Sequence, residues 1–162
     1  MGNGDTFRIG VLGSGNGSNL IAIAEAIGRG EVPAEIVLVL SDVKEAEILQ
    51  HAKRMGLMAR HIAPGKYRTK LDEEAEKSYS CALQKADVDL VVLAGFMRVL
   101  KGELLKSFHG KVINIHPSLL PSFPGLEAWK QALDYGVKYT GATVHFVDQG
   151  IDSGAVIAQE PV

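Results

Sequence analysis

The chain has 162 residues, 46% hydrophobic and 22% charged, with a formal net charge of −2. This length fits one domain with a sizeable core and leaves little room for a second. The near-neutral charge argues against a non-specific nucleic-acid binder, and apolar stretches such as 88–94 are too short to span a bilayer. A single cysteine, Cys81, excludes an internal disulfide and fits a reducing, cytoplasmic setting.

Strands and helices alternate along the chain. Residues 1–6 are polar and Gly-rich and read as a disordered tail, not a signal peptide. Residues 7–12 form a short strand that ends at a Gly-rich turn. Residues 19–29 carry Leu20, Ile23, Ala24 and Ile27 at helical spacing. A second strand is predicted at 35–40 and a helix at 45–55, with Gly56 as its stop. A third strand follows at 59–63, and a charge-laced helix at 69–86. Residues 88–94 read as a central strand, apolar on both faces. In the second half, 111–116 is a strand terminated by Pro117. A proline-rich loop (117–125) leads to a helix at 126–135 that Gly136 stops. Residues 139–147 predict a strand, 148–154 a polar loop, and 155–159 the start of another strand.

The alternation predicts an α/β fold, a Rossmann-like and mainly parallel sheet flanked by helices, as a single domain over 7–162. Ligands of such sheets gather at the carboxyl ends of the strands. The last predicted strand lies close to Val162, so a further covering element is expected.

Three segments carry candidate chemistry. The first is 13–19, Gly-Ser-Gly-Asn-Gly-Ser-Asn, between the first strand and the first helix. Its glycines leave amides free to converge on an anion at a helix N-terminus. Ser18 or Asn19 is expected to cap that helix. A dinucleotide loop would want Gly at position 18, yet Asp42 follows the second strand as a ribose-binding acid would. A nicotinamide-dependent dehydrogenase therefore stays open, as does a non-catalytic phosphate-ligand binding domain. The second segment is 112–117, Val-Ile-Asn-Ile-His-Pro. Strand alternation puts Asn114 and His116 on one face, an amide and an imidazole suited to a developing oxyanion. The third is the loop 148–154, whose Asp148 and Asp152 gain interest if one carboxylate reaches His116. His145 reads as a packed or edge histidine, and His51, His61 and His109 as surface or helix positions. Cys81 reads as a buried structural thiol. No cluster has zinc-ligand spacing, so no metal is expected.

The runs 14–20, 93–98 (Leu-Ala-Gly-Phe-Met-Arg), 113–121 (Ile-Asn-Ile-His-Pro-Ser-Leu-Leu-Pro), 141–147 and 152–154 occur in that order. With them the chain resembles the folate-dependent formyltransferases from Phe7 onward, and among these the phosphoribosylglycinamide formyltransferase family. The resemblance implies transfer of the formyl group of 10-formyltetrahydrofolate, a co-substrate, to the amine of glycinamide ribonucleotide in purine biosynthesis. It assigns Asn114, His116 and Asp152 to catalysis and the ribonucleotide phosphate to Gly17, Ser18 and Asn19. It places the folate against Lys70, Met97, Arg98, Val99, Leu100 and Asn114, and against Asp148, Gln149, Gly150, Ile151 and Asp152. It implies small-molecule partners without nucleic acid or membrane, leaves a homodimer open, and implies a further strand and C-terminal helix. Formyltetrahydrofolate hydrolase shares the Asn-His-Asp set but normally lacks the Gly-Asn-Gly-Ser-Asn loop. Methionyl-tRNA formyltransferase carries an RNA-binding domain, of which nothing is seen here.

Overall fold

The computed structural model describes residues 6–162. The expected N-terminal tail lies outside the described residues except for Thr6, which is exposed. Among the described residues the strands are β1 (Phe7–Leu12), β2 (Ala34–Ser41), β3 (Ala59–His61), β4 (Leu90–Leu93), β5 (Val112–His116), β6 (Gly141–Phe146) and β7 (Val156–Pro161). The helices are α1 (Ser18–Gly28), α2 (Glu47–Arg54), α3 (Glu73–Lys85), α4 (Glu103–Ser107) and α5 (Ala128–Tyr135).

The strands form one sheet in the order β3-β2-β1-β4-β5-β6-β7. β1 to β5 pair in parallel, while β6 and β7 join antiparallel. The chain builds outward from β1 on one side through β2 and β3, then returns to lay β4 on the other side. The connections therefore leave in opposite directions above the β1/β4 boundary, the switch point near which ligands of such sheets gather.

Both faces of the central strands are dry, which is why they read as near-continuous apolar runs. One face packs Leu12, Leu40, Val91 and Val112 against Tyr79, Leu83 and Leu104 of α3 and α4. The other packs Val11, Val39 and Val92 against Leu20 of α1 and Ile48 and Leu49 of α2. Each such side chain contributes about 1.5–3 kcal/mol when fully buried. Tyr79 is fully buried, and its hydroxyl donates to the Ile62 carbonyl at 3.0 Å. Burial first, then the nearby Asp42 charge, push its phenol pKa upward, so it remains a neutral donor.

Three details depart from the sequence expectations. The helix predicted from residue 69 starts at Glu73, because the Asp72 carboxylate accepts the Ala75 N–H at 2.9 Å and the Lys66 N–H at 3.1 Å. That cap stops the helix, and Lys70 instead makes an isolated parallel bridge with Val99. Second, α4 was not expected; a buried carboxylate from α3, Glu76, anchors its first turn. Third, Cys81 is exposed, not buried. The buried stripe of α3 runs through Ala75, Tyr79, Ala82 and Leu83, and position 81 turns away from it.

Candidate active site

The register between β5 and β6 builds the centre of the site. Asn114 pairs with His145 and His116 with Thr143, so all four side chains share one face of the sheet. The Asn114 amide nitrogen lies 3.2 Å from His145 Nε2. His145 Nδ1 lies 2.9 Å from the Phe146 carbonyl, an acceptor only, and so carries the ring proton; Nε2 then accepts from Asn114. His116 Nε2 donates to the Phe123 carbonyl at 2.9 Å, from a residue held at φ 53°.

Asp152 arrives from the β6–β7 loop, itself in the left-handed region at φ 51°. That loop is braced by Asp148, whose Oδ1 accepts the Gly150 N–H at 2.8 Å and the Ser153 hydroxyl at 2.9 Å. Asp152 Oδ2 accepts the Gly125 N–H at 2.7 Å and lies 3.4 Å from His116 Nδ1; Oδ1 lies 3.7 Å from His145 Nε2. One carboxylate, two buried imidazoles and an amide therefore converge. Nε2 of His116 is engaged by the Phe123 carbonyl, while Nδ1 stands 3.4 Å from the carboxylate, close enough for attraction but not tied in a short hydrogen bond.

These groups line a cavity of about 630 Å³. Met97, Arg98, Val99 and Leu100 form one wall, and Asp148, Gly150, Ile151 and Asp152 another. Gln149 and Lys70 do not line it; the Lys70 ammonium sits 4.4 Å from the centre of the Tyr67 ring. Asn19 reaches the cavity from the Gly-rich loop, whereas Gly17 and Ser18 stay outside its lining. His145, read from sequence as a packed or edge residue, is 2% exposed and faces the centre. Its signal was parity: position 145 shares a face with 143, and only the antiparallel partner of 112–116 fixes which face that is.

The Gly-rich turn differs from expectation at its cap. Gly17, at φ 80°, is the N-terminal cap of α1, and neither Ser18 nor Asn19 caps with its side chain. Asn16 Oδ1 accepts the Ser18 N–H at 3.1 Å instead. A Cβ at Gly17 would stand 2.8 Å from the Ile48 backbone, so the left-handed turn and the approach of α2 both require glycine. The dehydrogenase reading fails on Asp42. Asp42 is buried, does not line the cavity, and its carboxylate is committed to the Ser14 hydroxyl at 2.5 Å and Arg98 Nε at 2.6 Å, so it is not presented to a ribose.

Among the described residues, no group of three or more His, Cys, Asp or Glu side chains is placed to hold a metal ion. No helix among them is long and apolar enough to cross a membrane. The cavity at the carboxyl ends of this α/β sheet brings together amide, imidazole and carboxylate, groups capable of proton-assisted chemistry on a small ligand. Residues 7–162 match the formyl transferase family, and the chain belongs to it. It is 45% identical over 157 residues to the trifunctional purine biosynthetic protein adenosine-3 of Gallus gallus, covering 96% of this chain and 15% of that protein. It is 39% identical over 155 residues to the phosphoribosylglycinamide formyltransferase of Bacillus subtilis, covering 96% and 78%. The structure of glycinamide ribonucleotide transformylase 1 from Symbiobacterium toebii superposes with a TM-score of 0.91 at 45% identity, over 99% of this chain and 74% of that one.

Proposed function

We propose that this chain transfers the formyl group of 10-formyltetrahydrofolate to the amine of glycinamide ribonucleotide. The observation that carries this reading is the meeting of Asn114, His116, His145 and Asp152 on one cavity, in a chain of the formyl transferase family. The substrate amine attacks the formyl carbon, and the carbonyl oxygen becomes an oxyanion. The second N–H of the Asn114 amide and the His116 Nδ1–H stabilise it; the 3.4 Å contact with Asp152 leaves that proton loosely held. Collapse of the tetrahedral species breaks the bond to the folate nitrogen. The proton lost by the amine passes through Asp152 or a water to that leaving nitrogen. No covalent nucleophile is needed, and binding both substrates in attack geometry supplies much of the acceleration. The folate lies against 97–100 and the loop 148–152, with Lys70 at the outer edge. The ribonucleotide phosphate lies at Gly17, Ser18 and Asn19, taking the place of the Asn16 side-chain oxygen on the Ser18 N–H.

The test is to mix the protein with both compounds, omitting each in turn. Formylated ribonucleotide and tetrahydrofolate appear together only with both present; folate deformylation without ribonucleotide would mean hydrolysis. A second test addresses the Gly-rich turn, which contains no Lys or Arg. Binding there rests on backbone amides and the helix dipole. Ser18→Asp adds an anion at a helix start, which stabilises the helix but repels phosphate. Ribonucleotide affinity falls about tenfold or more, as expected for like charges a few ångströms apart near a surface. Folate affinity, measured by calorimetry in parallel, stays within about twofold of the unsubstituted protein. Equal ribonucleotide affinity in both proteins would return the segment to a simple turn.

A further inference from the structure

Asp42 is 5% exposed and lies just beyond β2, at the edge of the switch point. Three loops meet at its carboxylate. Ser14 of the Gly-rich turn donates its hydroxyl to Oδ1 at 2.5 Å, and Arg98 donates Nε to Oδ2 at 2.6 Å. The same Ser14 oxygen accepts the Met97 N–H at 2.8 Å, and the Ser14 N–H donates to the Gly95 carbonyl at 3.0 Å. The Arg98 guanidinium also donates to the carbonyls of Tyr67 and Arg68. The turn proposed for phosphate is thus bonded directly to the segment proposed for folate. Neither Ser14 nor Asp42 lines the cavity.

We infer that Ser14 and Asp42 are positioning residues that fix the ribonucleotide loop relative to the folate wall. This rests on the proposed transfer reaction. A buried ion pair adds little net stability, because desolvation offsets its attraction, but its hydrogen bonds fix orientation sharply. Here the orientation is that of two walls holding two reactants, and a displacement of about 1 Å costs roughly a hundredfold in rate. Each substrate binds its own wall; only their relative placement depends on the tether.

Ser14→Ala removes the hydroxyl bridge and leaves the Asp42–Arg98 pair in place. Asp42→Asn keeps the volume but removes one of the two acceptors. In the full-length protein each lowers turnover at saturation about tenfold or more. The dissociation constants of glycinamide ribonucleotide and of 10-formyltetrahydrofolate, each titrated alone, change by less than about threefold. A merely structural role would lower the melting temperature without this split. Unchanged turnover, or a loss explained by weaker binding of one substrate, overturns the inference. Ser14→Ala carries the test should Asp42→Asn fail to fold. Absence of product from the unsubstituted protein would overturn the transfer reading itself, whereas product there with unchanged variants overturns only the tether.

Discussion

His116→Ala and Asp152→Asn each lower turnover by roughly 10²–10⁴, while formyl-folate binding weakens by less than about tenfold. The ring of His116 is held through Nε2 by the Phe123 carbonyl at 2.9 Å, faces Asp152 at 3.4 Å, and is only 4% exposed. Such a fixed donor acts where charge develops, in the transition state, and adds little to ground-state affinity. Asparagine at 152 is nearly the same size and still offers an oxygen to the Gly125 N–H, so the loop keeps its shape while the charge is lost. Steady-state kinetics beside calorimetric titration of the folate separates the two effects. Equal losses in affinity with unchanged turnover would remove both residues from the proposed chemistry.

Glu76→Ala lowers folding stability by about 1.5–3 kcal/mol, the range for hydrogen bonds to a charged acceptor. Glu76 is 4% exposed. Its Oε1 accepts the N–H groups of Lys101 and Gly102 at 3.0 Å each, and its Oε2 accepts that of Leu104 at 3.3 Å. Alanine would leave the buried Leu104 amide without its acceptor and open a void beneath α4. Against a typical total of about 5–15 kcal/mol, this is a large fraction. Glu76→Gln keeps one acceptor oxygen and the volume, and so loses less. Urea unfolding of the three proteins checks the order; an alanine variant within about 1 kcal/mol of the parent would contradict it. The contact also bears on the cavity, because residues 97–100 of its wall run directly into the amides that Glu76 holds.

The sheet was legible because its cause is local. Parallel strands dry on both faces must be apolar throughout, and 7–12, 35–40 and 88–94 are nearly so. Helix ends were less legible where a side chain decided them. Asp72 ends the extended stretch before α3 through bonds to Lys66 and Ala75, and position 69 gave no sign of that. The short helix α4 was missed because a carboxylate 26 residues upstream of Gly102 stabilises its start.

At the site, the alternation of Asn114 with His116, the Gly-rich turn before α1 and an acidic loop after β6 could be read from the residues alone. These follow from the two-residue period of a strand and the freedom of glycine, which act over a few bonds. Tertiary structure decided which of these parts meet. The antiparallel register of β5 with β6 brought His145 beside Asn114, and the left-handed turn at Asp152 carried its carboxylate to both histidines. It also committed Asp42, which from sequence alone could have held a ribose, to Ser14 and Arg98. The physical reason is range: backbone preference is set by neighbouring residues, whereas a hydrogen bond of about 3 Å between residues dozens apart exists only once the sheet has fixed both ends.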